Sequence, residues 1–270
     1  GIGSVTVNSG ATFHFDNVTM GSTATGGVTT GLTLNNGATL LGTGISAFTG
    51  SGSPVVSSND GTVVTVATVN PSDIFDINSS FRNSVVAATG STVVVDGPGR
   101  IVLSSGATST SASGTQYSGS WEVDNGMLQI GPDAAAFGES INALGFLPSD
   151  GPNGPTRPVT LNGGLLVAAI NTPNPAASGD PVVVGTIRSD ITLAGGGIGG
   201  TSVDPTFAGS ITLQSNSTVQ TTDAVDNSTP RTIVLGTQTT VAGSADVLGN
   251  INWGNATLAV NGSGILHIEK

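Results

Sequence analysis

A strand-and-turn phrase recurs along this chain, most clearly as Gly31-Leu-Thr-Leu-Asn-Asn-Gly-Ala-Thr-Leu40. It is an apolar–polar–apolar triplet, an Asn/Gly turn, and a second apolar alternation. Related copies are Ser4-Val-Thr-Val-Asn-Ser-Gly-Ala-Thr-Phe13, Val159-Thr-Leu-Asn-Gly-Gly-Leu-Leu-Val167, Ile211-Thr-Leu-Gln-Ser-Asn-Ser-Thr-Val219 and Ile233-Val-Leu-Gly-Thr-Gln-Thr-Thr-Val241. One phrase repeated over a whole chain means stacked, near-identical structural units. The expected fold is all-β, a parallel β-helix (β-solenoid) with projecting loops. Such an architecture suits a scaffold better than a catalyst.

Strand alternation dominates and helical periodicity is nearly missing. Strand cores are expected at Val5–Val7, Leu32–Leu34, Val63–Val66, Val93–Val95, Ile101–Leu103, Trp121–Val123, Val159–Leu161, Ile191–Leu193, Ile211–Leu213, Ile233–Leu235, Ile251–Trp253 and Ile265–Ile268. Their spacing averages roughly 27 residues and varies from roughly 18 to 38, the length of a solenoid coil with unequal loops. Stacked about 4.8 Å apart, around ten coils make a rod on the order of 45–50 Å long. Asn35-Asn-Gly37, Asn125-Gly126, Asn162-Gly-Gly164 and Asn261-Gly262 are expected at corners, where tight turns need positive φ. Gly195-Gly-Gly-Ile-Gly-Gly200 reads as a tight corner, without the lysine and strand-to-helix context of a phosphate loop.

The pattern breaks at Gly131–Leu147, where Pro132 is placed to open a short helix with Asp133 in its first turn. The proline-rich pieces Pro148–Pro155 and Asn171–Pro175 cannot donate regular ladder bonds and read as loops, as does Thr108–Gln116. The expected organisation is one solenoid segment over residues 1–270, part of a longer chain or fibre. It carries a loop excursion at about 131–158 and a further proline-rich loop at 171–181.

Composition removes several functions. The net charge is −11, Lys270 is the only lysine, and the five arginines are dispersed, so no phosphate-neutralising patch exists for a nucleic acid. No cysteine is present, which removes disulfides, thiolate metal sites and a cysteine nucleophile. No apolar run approaches the roughly 18–20 residues that span a bilayer, and no basic start followed by an apolar stretch marks a signal peptide. A cysteine-free, lysine-poor, Thr/Asn/Gly-rich β chain fits a bacterial exported protein.

Tyr117-Ser-Gly-Ser-Trp-Glu-Val-Asp-Asn-Gly-Met-Leu-Gln-Ile-Gly131 resembles the autotransporter-associated β-strand repeat, approximately Tyr-Thr-Gly-Gly-Thr-Thr-Val-x-x-Gly-Thr-Leu-x-Leu-Gly. Asp133-Ala-Ala-Ala-Phe-Gly138 looks like the small-residue segment that often trails it, and Gly262-Ser-Gly-Ile-Leu-His-Ile-Glu-Lys270 is similar to the phrase that commonly precedes it. The clear match covers about twenty residues. The resemblance implies a passenger-type, right-handed parallel β-helix in a very large protein, secreted by or on the surface of a Gram-negative bacterium. Members serve as adhesins, fibres or matrix components. The sequence departs from an intact autotransporter in lacking a signal peptide and a C-terminal run of amphipathic barrel strands.

Candidate chemistry is sparse, and no catalytic, cofactor-binding or metal residue is assigned. The acid pairs Asp73/Asp76 and Asp223/Asp226 offer paired carboxylates of the kind that cleave glycosides. Solvated loop acids are the plainer reading. His14 and His267 alternate with apolar neighbours and so point outward from their strands, with no second histidine at ligand spacing. No cofactor is expected. Calcium is the metal that Asp, Asn and loop carbonyls suit best, yet the repeated Gly-Gly-x-Gly-x-Asp calcium phrase is absent. Trp121 and Trp253 fall in strand triplets and are read as packing residues. The six Asn-x-Ser/Thr sequons, from Asn17, Asn78, Asn216, Asn227, Asn255 and Asn261, follow from composition. Neither Gly1–Val7 nor Ile265–Lys270 shows a charged or helical cap, so both edges read as open strands. Three functions follow: a block of a surface fibre stacking head to tail on itself or on neighbouring repeats, an adhesin binding surface glycans through loops such as Pro148–Pro181, and a polysaccharide lyase or hydrolase. The first is preferred and an enzyme is not expected.

Overall fold

The computed structural model describes residues 4–22, 31–50, 55–58, 61–78, 80–83, 91–103, 119–131, 157–169, 186–187, 189–202, 204–236 and 250–269. These residues are all-β and contain no helix. Strands come in successive circuits. The first is β1 (Ser4–Val7), β2 (Thr12–Asp16) and β3 (Thr19–Ser22). The next three are β4 (Gly31–Leu34), β5 (Thr39–Thr43) and β6 (Ile45–Gly50); β7 (Val55–Ser58), β8 (Val63–Thr68) and β9 (Ile74–Asn78); and β10 (Ser80–Asn83), β11 (Thr92–Asp96) and β12 (Arg100–Leu103). Two circuits show two described strands each: β13 (Ser120–Val123) with β14 (Met127–Ile130), and β15 (Val159–Leu161) with β16 (Leu165–Ala168). Triples then resume as β17 (Thr186–Ile187), β18 (Ile191–Ala194) and β19 (Gly197–Gly200); β20 (Thr206–Phe207), β21 (Ile211–Ser215) and β22 (Ser217–Gln220); and β23 (Thr232–Leu235), β24 (Ile251–Asn252) and β25 (Leu258–Asn261). The last strand is β26 (Ile265–Ile268).

Each strand pairs in parallel with its counterparts one circuit away. Sheet A runs β1-β4-β7-β10, sheet B β2-β5-β8-β11-β13-β15-β18-β21-β24, sheet C β3-β6-β9-β12-β14-β16-β19-β22-β25, and sheet D β17-β20-β23-β26. Strands of A and D hold the same place in the circuit, before a sheet B strand and after a sheet C strand. Sheets B and C have nine strands each, so at about 4.8 Å per step they run about 40 Å.

The register explains the repeated phrase. Along sheet B, Phe13, Leu40, Val66, Val95, Val123, Leu161, Leu193 and Leu213 form one column of aligned partners. Along sheet C, Phe75, Ile101, Leu128, Leu166, Ile198, Val219 and Val260 form another. Period-2 alternation sends these side chains to one face, where each packs on its copy in the next circuit. Every buried Val, Leu or Ile contributes roughly 1.5–3 kcal/mol against the chain entropy lost. The outward row of sheet B is mostly threonine, with Thr12, Thr39, Thr65, Thr160, Thr192 and Thr212 in line. Its β-branch suits a strand and its hydroxyl suits water.

Sheet C departs from simple alternation in its middle. Val102, Gln129, Val167 and Gly199 lie on its outward row and are nevertheless buried. The runs Ile101-Val-Leu103 and Leu165-Leu-Val-Ala168 are the continuous apolar stretches of a parallel strand covered on both faces. Gln129 accepts a hydrogen bond from Arg100 at 2.8 Å and donates to the Gly131 carbonyl at 3.4 Å. The burial of its amide is thereby compensated.

Corners differ from expectation in two places. Gly37, Gly126 and Gly262 take positive φ of 74°, 64° and 114°, as the Asn-Gly turns require. Gly163 and Gly164 do not. There the constraint is close approach: a Cβ on Gly164 would enter the Val123 side chain, and one on Gly163 would sit 2.7 Å from the Asp124 carbonyl. In Gly195–Gly200 only Gly195, with φ of 112°, turns the chain. Gly197–Gly200 is strand β19 and not part of a corner. Glycine is needed there because a Cβ on Gly197 would strike Thr218 and one on Gly199 would crowd Gln220. The short helix expected after Pro132, the Thr108–Gln116 loop, and the proline pieces 148–155 and 171–175 lie outside the described residues.

The expected strand cores form strands, although β24 stops at Asn252 and leaves Trp253 beyond it. Residues bonded across successive circuits lie as few as 19 positions apart, at Ile191 and Ser210, and as many as 41, at Asn216 and Thr257. Trp121 is fully buried in the sheet B wall between Val93 and Val159. Trp121→Ala is expected to cost about 3–5 kcal/mol in urea unfolding, whereas Thr160→Ala on the outward row stays within about 0.5 kcal/mol.

Candidate functional site

The sequence offers two acid pairs, and the structure gives their first members the same task. Asp73 is buried at the corner between β8 and β9. Its carboxylate accepts N–H bonds from Asn70 at 2.7 Å, Val69 at 3.0 Å and Gly44, one circuit back, at 2.9 Å. The Asn70 amide adds contacts at 3.3 and 3.4 Å. Burial pushes the Asp73 carboxyl up, but the N–H donors of Asn70, Gly44 and Val69 outweigh it and hold the group below the usual carboxylate value.

Asp223, buried between β22 and β23, repeats this arrangement with a cation added. It accepts from the Thr201 hydroxyl at 2.8 Å, Ser202 N–H at 2.9 Å, Val225 N–H at 3.0 Å and Asp226 N–H at 3.3 Å. Arg231 Nη2 lies 2.6 Å from it. Burial again raises its pKa, while the Ser202 N–H, Arg231 and the remaining donors bring it far below the ordinary value. Asp226 is exposed and accepts from Ser228 N–H at 2.8 Å, and Asp76 lies on the outward row of sheet C beside Ala47 and Val102. A general acid must hold a proton near its working pH. Asp73 and Asp223 are saturated with donors and held ionised, and each ties one circuit to its neighbour. Sequence reading found both residues without this role; the turn Asn70-Pro-Ser-Asp73 was the available signal.

The histidines point outward, as alternation requires. His14 lies 2.8 Å from the Thr43 hydroxyl, which donates to Asp16 at 2.9 Å. His267 is 3.5 Å from Glu269. Among the described residues, no group of three or more His, Cys, Asp or Glu side chains is placed to hold a metal, and no helix is long and apolar enough to cross a membrane.

The remaining surface of note is the end of the stack formed by β24, β25 and β26, the last strands of sheets B, C and D. Val260 occupies the Val219 column, yet Val219 is 0% exposed and Val260 is 49%. Ile268 occupies the Leu235 column with the same contrast, 49% against 0%. Trp253 is 41% exposed. Val260 and Ile268 hold inward positions of the repeat, and no described strand stacks on them. The opposite end is better filled. Phe15 meets Phe13 edge-on at 5.0 Å and Phe75 at 4.9 Å, with Phe48 at 6.3 Å, and Phe13, Met20 and Val5 are only partly buried.

No family model, curated protein or solved structure matches the chain.

Asp223→Ala removes the anion from a buried pair, and a loss of about 3–5 kcal/mol is expected in denaturant unfolding. Its pH signature has a definite sign. The folded pKa lies below the unfolded value of about 3.9, so the unfolded chain binds the extra proton. The contribution is complete above about pH 5 and fades as pH falls through and below 4. Asp223→Asn is expected to flatten this acid limb in thermal melts taken from pH 7 to pH 2.

Proposed function

We propose that the chain is a right-handed parallel β-solenoid and a structural building block of an extracellular bacterial fibre or matrix, stacking end to end through its open strand edges. The single observation that carries this reading is the exposed core cross-section at β24–β26. A parallel stack leaves unpaired N–H and C=O groups along each terminal strand, and soluble proteins blunt such edges with charge, proline or a covering element. The segment Asn250–Ile268 contains no Asp, Glu, Lys or Arg. Right-handedness is supported by the near-universal sense of connections between parallel strands of one sheet.

The two ends differ, so their contact is heterologous and open-ended. Repetition of such a contact gives a filament and not a closed dimer. The surface-protein context rests on the Tyr117–Gly131 resemblance. The described part of that phrase forms β13, a corner at Gly126, and β14, so the repeat unit coincides with one corner of the stack.

A concentration series in sedimentation velocity with negative-stain electron microscopy tests the reading. Filaments or linear multimers are expected to grow with concentration. Val260→Lys places an ammonium on the exposed cross-section and is expected to abolish them with little effect on the melting temperature. A chain that stays a single short particle at every concentration overturns the proposal.

A further inference from the structure

We propose that Asn125 is a site of spontaneous deamidation, where the fold holds the following main-chain nitrogen against the side-chain amide and selects the product. Asn125-Gly126 forms the corner between β13 and β14, with the Asn125 side chain exposed. Gly126 takes φ of 64°, and its N–H donates to Asn125 Oδ1 at 2.9 Å. Cγ is bonded to that oxygen. The carbonyl carbon therefore stands beside the one nitrogen that can close a five-membered ring on it, and glycine puts no Cβ in the way. Holding the two groups together removes the search that a free chain makes before each attempt.

The step balances with water alone. A solvent base takes the Gly126 amide proton, the nitrogen bonds to Asn125 Cγ, and Nδ2 leaves as ammonia with a proton from water. One water then opens the cyclic imide. Addition at Cγ gives aspartate, and addition at the main-chain carbonyl of residue 125 gives isoaspartate.

Two other corners carry the same dipeptide with a different geometry. At Asn36-Gly37, between β4 and β5, Asn36 Oδ1 accepts the Val63 N–H at 2.9 Å. Gly37 N–H donates to the Val63 carbonyl at 2.7 Å, so both reacting groups are committed to the next circuit. At Asn162-Gly163, between β15 and β16, Asn162 Nδ2 donates to Asp124 Oδ1 at 2.7 Å, which commits that amide to the preceding circuit.

The neighbouring corner shows that an acid fits this seat. One circuit earlier, Gly97 takes φ of 88° and its N–H donates to Asp96 Oδ1 at 2.7 Å, the same bond with a carboxylate as acceptor. Isoaspartate differs because it lengthens the main chain by one atom. The Asn125 corner is pinned on both sides, by Asp124 N–H on the Val95 carbonyl and Met127 N–H on the Gly99 carbonyl, each at 3.0 Å. Between these bonds Gly126 lies so near the Gly97 and Gly99 carbonyls that a Cβ would strike them. The folded chain therefore favours opening to aspartate.

The full-length protein is incubated in mildly alkaline buffer, folded and in parallel in urea, and read by peptide mass mapping that separates aspartate from isoaspartate. In the folded chain Asn125 is expected to convert about tenfold faster than Asn36 and Asn162, mostly to aspartate. In urea the three are expected to convert at similar rates, mostly to isoaspartate. Asn125→Asp is expected to melt with the wild type. Folded protein in which Asn125 converts no faster than Asn36 and Asn162 overturns the site. Isoaspartate as the main product of the folded chain, or a clearly lower melting temperature for Asn125→Asp, overturns the selection of product.

Discussion

The hydrogen bonds that run along the stack are the interaction on which everything else depends. Among the described residues, a strand finds its partners in neighbouring circuits and not in the strand that follows it in sequence. Thr39 N–H reaches the Ala11 carbonyl, Thr65 N–H the Ala38 carbonyl, and Arg100 N–H the Asp73 carbonyl, each bond at 2.9 Å. Circuit shape is thereby copied from one layer to the next, and side chains of one column are forced into line. The columns of Val, Leu and Ile follow from this registration, as does the threonine row on the opposite face of sheet B. Stability then becomes a sum of circuits and of the interfaces between them, with the weakest terms at the ends.

Registration makes corners the demanding positions. Strands tolerate any β-favouring residue of the right polarity, but a corner must turn within a few atoms of the corner below it. A Cβ on Gly97 would enter the Thr68 backbone, and one on Gly264 would enter the carbonyls of Thr221 and Arg231. Where a corner is wider, a buried carboxylate gathers the loose N–H groups. Asp73 binds two donors of its own corner and one from Gly44 below, and Asp223 binds across to Thr201 and Ser202. A charge without a cation is tolerated at Asp73 because several oriented dipoles replace the lost water.

Strand identity was legible wherever alternation was clean, as in Val93–Val95 or Ile211–Leu213, because period 2 leaves little choice of face. It failed where composition and environment disagree. The strand Gly197–Gly200 has no side-chain signal at three of its four positions, since its glycines answer to Thr218, Gln220 and Ala224 in the neighbouring turn and strand. No local pattern announces contacts that distant. The acid pairs show the same limit. Spacing exposed Asp73 and Asp223 as unusual, but the donors that fix their role include Gly44, Thr201 and Ser202, which lie in earlier circuits. The lack of charge in Asn250–Ile268 was legible because it is a purely local property.

That lack of charge also bears on the proposed end-to-end stacking. The seventeen acidic residues against six basic ones leave a net charge of −11, which repels other copies in solution. Asp96, Asp124, Asp190 and Asp204 lie exposed along the length of the stack, whereas β24 and β25 carry no ionisable side chain at all. Approach side by side sets acidic rows against each other, a cost that salt screens only beyond about 8–10 Å. The proposed end-to-end approach instead presents β24 and β25, which carry no ionisable side chain. The sequence thus opposes lateral clumping with the same economy that it uses for the core, by choosing which rows of the repeat carry charge and leaving strands β24 and β25 without any.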